Sequence, residues 1–182
     1  MPARGYRLGR RQHAVDRTAA AILGAARRLV AIAPASKLSV GAVAREAGVS
    51  RITVYNRFGS RAGLIAAVAP NPIGGTEDAF TDARGELRSR LTEACAHWSV
   101  EPALHRNLNL PASPAEGELA RRLAEGLAAE DALRPGCSIR EAEDVIGALI
   151  AFPVFDRLHR DGRRPAGAVA EILWRLASSI LR

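Results

Sequence analysis

Two short amphipathic segments, separated by only two residues, constrain this chain more than any other feature. Ser39 and Ser50 each precede an apolar pattern with helical spacing. Serine is a preferred N-cap residue because its hydroxyl accepts a hydrogen bond from a free backbone N–H in the first helical turn. Gly48 stands where a helix end favours a left-handed residue. Since only Gly48 and Val49 separate the two helices, the chain must turn sharply, and the spacing predicts a helix-turn-helix unit.

The second of these helices has two different faces. Val54 and Phe58 share one face and are expected to pack inward. The other positions carry polar, basic and aromatic side chains, and the candidate DNA-binding residues among them are Ser50, Arg51, Ile52, Thr53, Tyr55, Asn56 and Arg57. Arginine suits guanine and asparagine suits adenine in the major groove, and the free N–H groups of a first turn can bind phosphate. Two alternatives stay open: Tyr55 as a packing residue, and Arg57 as a solvated flank.

Charge is distributed unevenly along the chain. Residues 1–69 contain 12 Lys and Arg against Asp16 and Glu46, whereas residues 70–182 contain 14 basic and 17 acidic residues. This asymmetry predicts a module that faces nucleic acid joined to one that does not. Residues 1–12 are arginine-rich without an apolar period, and we expect a flexible basic arm there. The arm is either a solvated tail or a segment that lies along DNA.

The apolar spacing predicts helices throughout the chain and no strands. We expect an all-α fold of about nine helices, with an N-terminal three-helix helix-turn-helix domain at 13–69 and a C-terminal helical domain at 76–182. Residues 70–75, with two prolines and two glycines, are the expected linker. The predicted C-terminal helices span about 76–99, 102–110, 114–132, 138–160 and 165–181. Pro153 is expected to kink the helix that contains it.

Composition and motifs exclude several classes of protein. No apolar run is long enough to span a bilayer, and the N-terminus has no secretory pattern. Cys95 and Cys137 have no metal-binding spacing. The phosphate loops, nucleophile elbows and His-carboxylate motifs of common enzyme classes are missing. We therefore expect a cytoplasmic protein that is not an enzyme, does not contact a membrane, and needs no metal or cofactor.

Residues 39–68 resemble the DNA-binding domain of the tetracycline-repressor (TetR) family of regulators. That family has an "A-x-x-A-G-V-S" turn, a "T-[LV]-Y-x-x-F" recognition helix, and then a small cap residue and a basic residue. The matching residues here are Ala44, Ala47, Gly48, Val49, Ser50, Thr53, Val54, Tyr55, Phe58, Ser60 and Arg61. With the first helix included, the resemblance covers about residues 13–69. The remainder is similar only in length and helical character.

The resemblance implies a role for each matching position. Tyr55 would donate its hydroxyl to a phosphate, and Thr53 would contact a phosphate or a thymine methyl. Arg61 stands where the family usually has lysine, and it would hold the DNA backbone. The positions that vary in the family and contact bases are Arg51, Ile52 and Asn56. Gly41 stands where some relatives have an arginine that reaches a base, so that contact is missing here.

The resemblance also implies a small-molecule effector, expected to be apolar, bound by the C-terminal domain. The candidate lining residues are Phe80, Cys95, Trp98, Leu104, Leu108, Phe152 and Phe155. Ordinary core packing is the alternative for each of them, and oxidant sensing is a further alternative for Cys95.

A homodimer through the last two helices is a further implication. Small residues there would allow close helix approach: Gly147, Ala148, Ala151, Ala170 and Ala177. Packing within a single copy is the alternative. The expected function is a ligand-responsive regulator, most simply a repressor, that binds a near-palindromic double-stranded operator as a dimer and is released by its effector. The alternative is a non-specific or architectural DNA-binding protein without a ligand.

Overall fold

The computed structural model describes residues 5–69, 82–111 and 113–182, and for residues 5–15 it describes the backbone alone. These residues form ten α-helices: α1 Gly5–Ile32, α2 Val40–Glu46, α3 Arg51–Phe58, α4 Arg61–Val68, α5 Ala83–Val100, α6 Pro102–Leu108, α7 Pro114–Ala129, α8 Ile139–Leu149, α9 Phe152–Asp156 and α10 Ala166–Ala177. An isolated antiparallel bridge between Leu133 and Leu181 is the extent of β-structure in them. The all-α prediction is confirmed, with ten helices in place of about nine.

The described residues divide into two compact units. The first contains the chain up to residue 69 together with residues 107–109, and the second contains the rest. In the first unit, α1 packs against α2 and α4, and α3 packs between α2 and α4. Its buried apolar residues include Ile22, Val30, Val43, Val54 and Leu64. Within this unit, Asn107 Nδ2 donates to the carbonyl oxygen of Val30, at 2.8 Å.

Three serines begin the short helices of the first unit. The hydroxyls of Ser39, Ser50 and Ser60 accept hydrogen bonds from the third backbone N–H of α2, α3 and α4, at 2.9–3.1 Å. Each cap satisfies an N–H that would otherwise have no partner in the helix. The two caps predicted for the helix-turn-helix are thus present, and they fix where α2 and α3 begin.

The turn between α2 and α3 has the hydrogen bonds of a Schellman motif. The N–H of Val49 donates to Ala44 O at 2.9 Å, and the N–H of Gly48 donates to Arg45 O at 3.2 Å. Gly48 has φ +67°, a conformation that glycine adopts without steric cost. The motif ends α2 and lets Ser50 cap α3 two residues later. The short interhelical turn therefore follows directly from the residues at 48–50.

The second unit is a helical bundle with one continuous apolar core. α7 packs against α8, and α5 packs against α10. The core contains Leu87, Leu123, Ile146, Phe155 and Leu173, which are almost fully buried.

Pro153 ends a helix that we expected only to kink. The predicted helix at 138–160 is divided into α8 and α9, with Ala151 in extended conformation between them. Proline lacks an N–H, and its ring clashes with the carbonyl of the residue four positions earlier, here Leu149. α8 therefore stops at Leu149, and Pro153 lies in the first turn of α9, where it is tolerated. A π-helical segment at 157–161 follows.

Two other boundaries differ from the prediction or cannot be compared with it. α1 begins at Gly5, whereas a flexible arm was expected to residue 12. Arginine, leucine and glutamine, which occur in residues 5–12, are good helix formers, and extending an existing helix adds one hydrogen bond per residue. The backbone of residues 5–12 is therefore helical and continuous with the rest of α1. The predicted linker at 70–75 lies outside the described residues, and α5 begins at Ala83.

Candidate nucleic-acid interface

The outer face of α3 is exposed, and its inner face is anchored. Val54 is buried at 1% exposure, whereas Ile52 and Tyr55 are 71% and 48% exposed. Asn56 lies beside them and is also exposed. Because residues three and four positions apart share a helix face, these three side chains form one stripe opposite Val54. Phe58, which we expected to be inside, is only half-buried. The stripe can therefore contact a large partner without rearrangement of the core.

The first turn of α3 positions a second hydroxyl. Ser50 Oγ accepts from the N–H of Thr53 at 3.1 Å, and it lies 2.8 Å from Thr53 Oγ1. Ser50 is exposed and Thr53 is half-buried. Thr53 Oγ1 is therefore held at the N-terminal edge of the exposed face. Beside it lie the helix N–H groups and their positive dipole, an arrangement that attracts phosphate.

Three arginines occupy different places around this face. Arg51 and Arg57 are exposed. Neither has a hydrogen bond or ion pair with a residue that the structure describes. The Arg51 guanidinium lies against Gly41 of α2. Arg61, at the start of α4, instead donates to the carbonyl oxygens of Leu38, Ala35 and Ser36 at 2.7, 2.5 and 2.8 Å.

Sequence reasoning missed the contribution of Arg61 to the fold. Its guanidinium connects the start of α4 to the segment before α2 by donating three hydrogen bonds to backbone carbonyl oxygens. The side chain remains exposed, so a phosphate contact by its other N–H groups stays a prediction. No signal in the sequence indicated a link across more than 20 residues.

The acidic residue nearest to the turn is neutralised. Glu46 Oε1 accepts from Arg28 Nε at 3.1 Å, in an exposed pair. Because Asp16 and Glu46 are the two acidic residues among the first 69, the charge around α3 is strongly positive. Such a surface attracts the phosphates of DNA and gives binding that weakens with salt. The geometry and the charge together suit a contact with the phosphates and grooves of double-stranded DNA.

The sequence of this surface matches a known family. Residues 22–68 match the model of the bacterial regulatory proteins of the tetR family. This part of the chain is therefore similar to the DNA-binding domain of tetR-family regulators. The match runs from Ile22 of α1 to the end of α4, and it includes the capped helices and the exposed stripe. The members of that family are DNA-binding transcriptional regulators and not enzymes, and the match supports the regulator that the sequence predicted.

Solved structures of TetR-type regulators have the same fold. NalD of Pseudomonas aeruginosa, the secondary repressor of the MexAB-OprM multidrug efflux pump, is 25% identical, with a TM-score of 0.70 over 92% of this chain and 97% of that chain. A TetR-family transcriptional regulator of Pectobacterium atrosepticum is 20% identical, with a TM-score of 0.60 over 93% and 96%. HlyIIR, a haemolysin II transcriptional regulator, is 17% identical, with a TM-score of 0.57 over 92% and 99%. No curated protein sequence matches the chain.

Most residues predicted to line an effector pocket lie within apolar packing. Cys95, Trp98 and Phe155 are almost fully buried in the core of the second unit, and Phe152 packs against that core. Leu104 and Leu108 are buried as well, but Leu108 groups with the first unit. Phe80 lies outside the described residues. The structure thus brings together four of the seven candidates: Cys95, Trp98, Phe152 and Phe155.

Aromatic contacts extend from this core to its surface. The Trp98 ring lies 6.0 Å from Phe152 and 5.4 Å from Phe155. Phe152 stacks on His105 at 5.1 Å, and Phe155 stacks on His159 at 4.9 Å. Phe152 and both histidines are only half-buried. Planar apolar molecules pack well against such rings.

Cys95 does not have the environment of a reactive cysteine. Burial raises the pKa of its thiol to about 12, and 1% of the residue is exposed. The thiolate is the form that reacts with oxidants, and it is negligible at neutral pH with such a pKa. The structure therefore opposes oxidant sensing at Cys95 and leaves it as a packing residue.

Two acidic residues of the second unit are fixed by arginines that sequence reasoning did not identify. Asp156 accepts from Arg106 through both oxygens, at 2.7 and 3.1 Å. Glu86 accepts in the same way from Arg122, at 2.7 and 2.9 Å. Hydrogen bonds from these guanidinium groups hold the pKa of each carboxyl below its ordinary value, although burial opposes the shift. The partners lie 36 and 50 residues apart, so helical spacing could not reveal them.

Among the described residues, no helix combines the length and hydrophobicity needed to cross a bilayer. The same part of the chain contains no group of three or more His, Cys, Asp or Glu residues arranged to hold a metal ion.

Proposed function

We propose that this TetR-family regulator is a repressor that binds a near-palindromic operator as a homodimer and dissociates when a small apolar effector binds. The observation that carries the proposal is the exposed stripe of α3, which stands on the buried Val54 and is surrounded by positive charge. NalD, at 25% identity over nearly the whole chain, is itself a repressor, and this supports repression as the direction of control.

The proposed DNA contacts divide into two kinds. Arg51, Ile52 and Asn56 contact base edges in the major groove, because their side chains differ in hydrogen-bonding and apolar character. The residues that contact phosphates are Ser50, Thr53, Tyr55, Arg57 and Arg61. Phosphate contacts position the protein, and base contacts give it sequence preference. Two copies would place their α3 helices in successive major grooves, about 34 Å apart.

The proposed dimer forms through exposed faces of α8 and α10. Leu176 of α10 is 49% exposed and Ile139 of α8 is 46% exposed, and Ala148 is exposed as well. Exposed large apolar side chains on both helices favour an interface. Ala170 and Ala177, which the sequence suggested for close helix approach in a dimer, are buried in the core of the second unit within one copy. The small residues therefore contribute less to the dimer than the spacing suggested.

The proposed effector site lies beside the aromatic core. Phe152 is half-buried and stacked on His105, so an apolar, planar molecule that displaces it would contact Trp98. The coupling between effector and operator is expected to be about 1–3 kcal/mol, which changes operator affinity about 5- to 150-fold. NalD's control of a multidrug efflux pump supports an effector of apolar character.

A specificity ratio tests the proposal against the architectural alternative. Sites selected from random double-stranded DNA by the purified full-length protein are compared with unselected DNA at one salt concentration. A sequence-specific regulator binds its selected site about 10³-fold or more tightly than random DNA. A ratio near one would favour the architectural protein. A symmetric selected site, protected on both half-sites, would support the dimer.

A further inference from the structure

The guanidinium of Arg51 occupies the space where a side chain on Gly41 would begin. A Cβ atom placed on Gly41 would lie 2.7 Å from Arg51 Nη2, 2.8 Å from Nε and 3.0 Å from Cζ. Because the two nitrogens are nearer than Cζ, the Nε–Nη2 edge of the guanidinium lies closest to this position. Gly41 lies in the first turn of α2, and Arg51 is the first residue of α3. The side chain therefore crosses the helix-turn-helix and uses space that any other residue at position 41 would fill.

No polar interaction with the described residues explains why the Arg51 side chain lies in this position. A cation at a helix N-terminus is disfavoured by the helix dipole. Glu46, the acidic residue near the turn, is already paired with Arg28. Arg51 is exposed and has no hydrogen-bond or ion-pair partner among the described residues. Its N–H groups remain available to an outside acceptor, and its direction is set by Gly41 and not by a polar contact.

We propose that Gly41 is a specificity-determining position, because its missing side chain seats the Arg51 guanidinium where it contacts a guanine at the α2 edge of the operator half-site. Gly41 is a positioning residue, and Arg51 makes the contact. Guanine presents two acceptors in the major groove, and arginine satisfies both with parallel N–H groups. This inference rests on the proposed function, and it adds which pair of residues determines one base pair.

The variant Gly41→Ala is expected to change the position of the Arg51 side chain without destabilising the fold. The atoms that obstruct the new methyl belong to the end of a flexible side chain, so Arg51 can move while the backbone stays in place. Alanine also has a higher helix propensity than glycine. The variant is therefore expected to unfold at the same temperature as the wild type or a higher one. Gly24→Ala is the matched control, because it makes the same change within α1 and meets only Arg28 Nη1 at an ordinary 3.6 Å.

The experiment selects binding sites from random DNA with full-length wild type, Gly41→Ala, Arg51→Ala, the double variant and Gly24→Ala. We expect Gly41→Ala and Arg51→Ala to lose preference at the same base pair in each half-site, by about 5- to 150-fold. The double variant should lose no more than Arg51→Ala alone, since both changes remove one contact. Gly24→Ala should select the wild-type sequence.

The outcomes distinguish this inference from the function on which it rests. If the wild type selects a motif and Gly41→Ala selects the same motif, the positioning role is wrong and the regulator proposal stands. A change at a base pair other than the one that Arg51→Ala affects also overturns it. If the wild type selects no motif, the proposed function fails and the inference fails with it.

Discussion

The Nε–H of Arg61 donates to the carbonyl oxygen of Leu38 at 2.7 Å, across 23 residues of sequence. The same guanidinium donates to Ala35 and Ser36. It thereby satisfies carbonyls of the 3₁₀ segment before α2 and fixes the start of α4 next to the helix-turn-helix. A residue that family resemblance assigns to the DNA backbone thus also holds the DNA-binding unit together.

Arg61→Ala is expected to destabilise the protein. It leaves three carbonyl oxygens without their charged donor, and hydrogen bonds of this kind contribute about 1–3 kcal/mol. Thermal and urea unfolding monitored by circular dichroism measure the change. Arg57→Ala is the control, since Arg57 is exposed on α3, and its effect should stay within about 0.5 kcal/mol. Equal effects of the two variants would contradict the structural role of Arg61.

Tyr55→Phe is expected to weaken binding to every DNA sequence by a similar factor. The variant removes one proposed hydroxyl–phosphate hydrogen bond per copy, worth about 0.5–1.5 kcal/mol, and phosphates carry no sequence information. Because Tyr55 is 48% exposed, unfolding should not change. Affinities for a selected site and for random DNA are measured side by side. A loss confined to the selected site would show that Tyr55 contacts a base.

The Arg106–Asp156 pair predicts how stability depends on pH. Hydrogen bonding to Arg106 lowers the pKa of Asp156 in the folded state. The pair therefore stabilises the fold fully above the ordinary carboxyl pKa of about 4, and this stabilisation is lost as the pH falls through the lowered pKa. Asp156→Asn should therefore cost about 1–3 kcal/mol at pH 7. Its stability should approach that of the wild type in strong acid.

Asp144→Asn is the matched control for this measurement. Asp144 pairs with Arg140 at 3.6 Å, and both side chains are more than two-thirds exposed. Exposed helix pairs contribute about 0.3–0.5 kcal/mol, so the unfolding free energy of this variant should follow the wild type at all pH values. If Asp156→Asn behaved like Asp144→Asn at pH 7, the Arg106–Asp156 pair would not stabilise the fold.

Thiol labelling tests the environment of Cys95. Cys137 is half-buried, so the experiment uses a Cys137→Ser background. With a pKa of about 12, Cys95 has about 10⁻⁴ of its population as thiolate at pH 8, and its labelling should be about 1,000-fold slower than that of an unhindered cysteine. Rapid labelling should appear only in denaturant. Rapid labelling of the native protein would reinstate Cys95 as a candidate sensor.

Local signals explain why the first unit was predicted well from sequence. The caps at Ser39, Ser50 and Ser60 and the left-handed Gly48 act within a few residues of themselves, so composition and spacing reveal them. Val54 follows from helical periodicity in the same way. The half-buried Phe58 shows the limit of this reasoning, because its burial depends on how closely α4 approaches α3.

Long-range contacts explain what the sequence did not reveal. The links of Arg61 to Leu38, Arg106 to Asp156 and Arg122 to Glu86 join residues that are distant in sequence and adjacent only in the folded chain. The contact between the Arg51 guanidinium and Gly41 also depends on the angle between α2 and α3. The sequence predicted a kink at Pro153. The clash of its ring with Leu149 O instead divides the predicted helix into α8 and α9.

Base readout by α3 is the central claim, and site selection with Asn56→Ala tests it most directly. Asn56 lies on the exposed stripe beside Ile52 and Tyr55, and its amide suits adenine. Sites selected by the variant and by the wild type are compared at one salt concentration. The account predicts that Asn56→Ala loses preference at one base pair per half-site, by about 1–3 kcal/mol, with the other positions unchanged. An unchanged selected sequence would contradict base readout by the exposed face of α3.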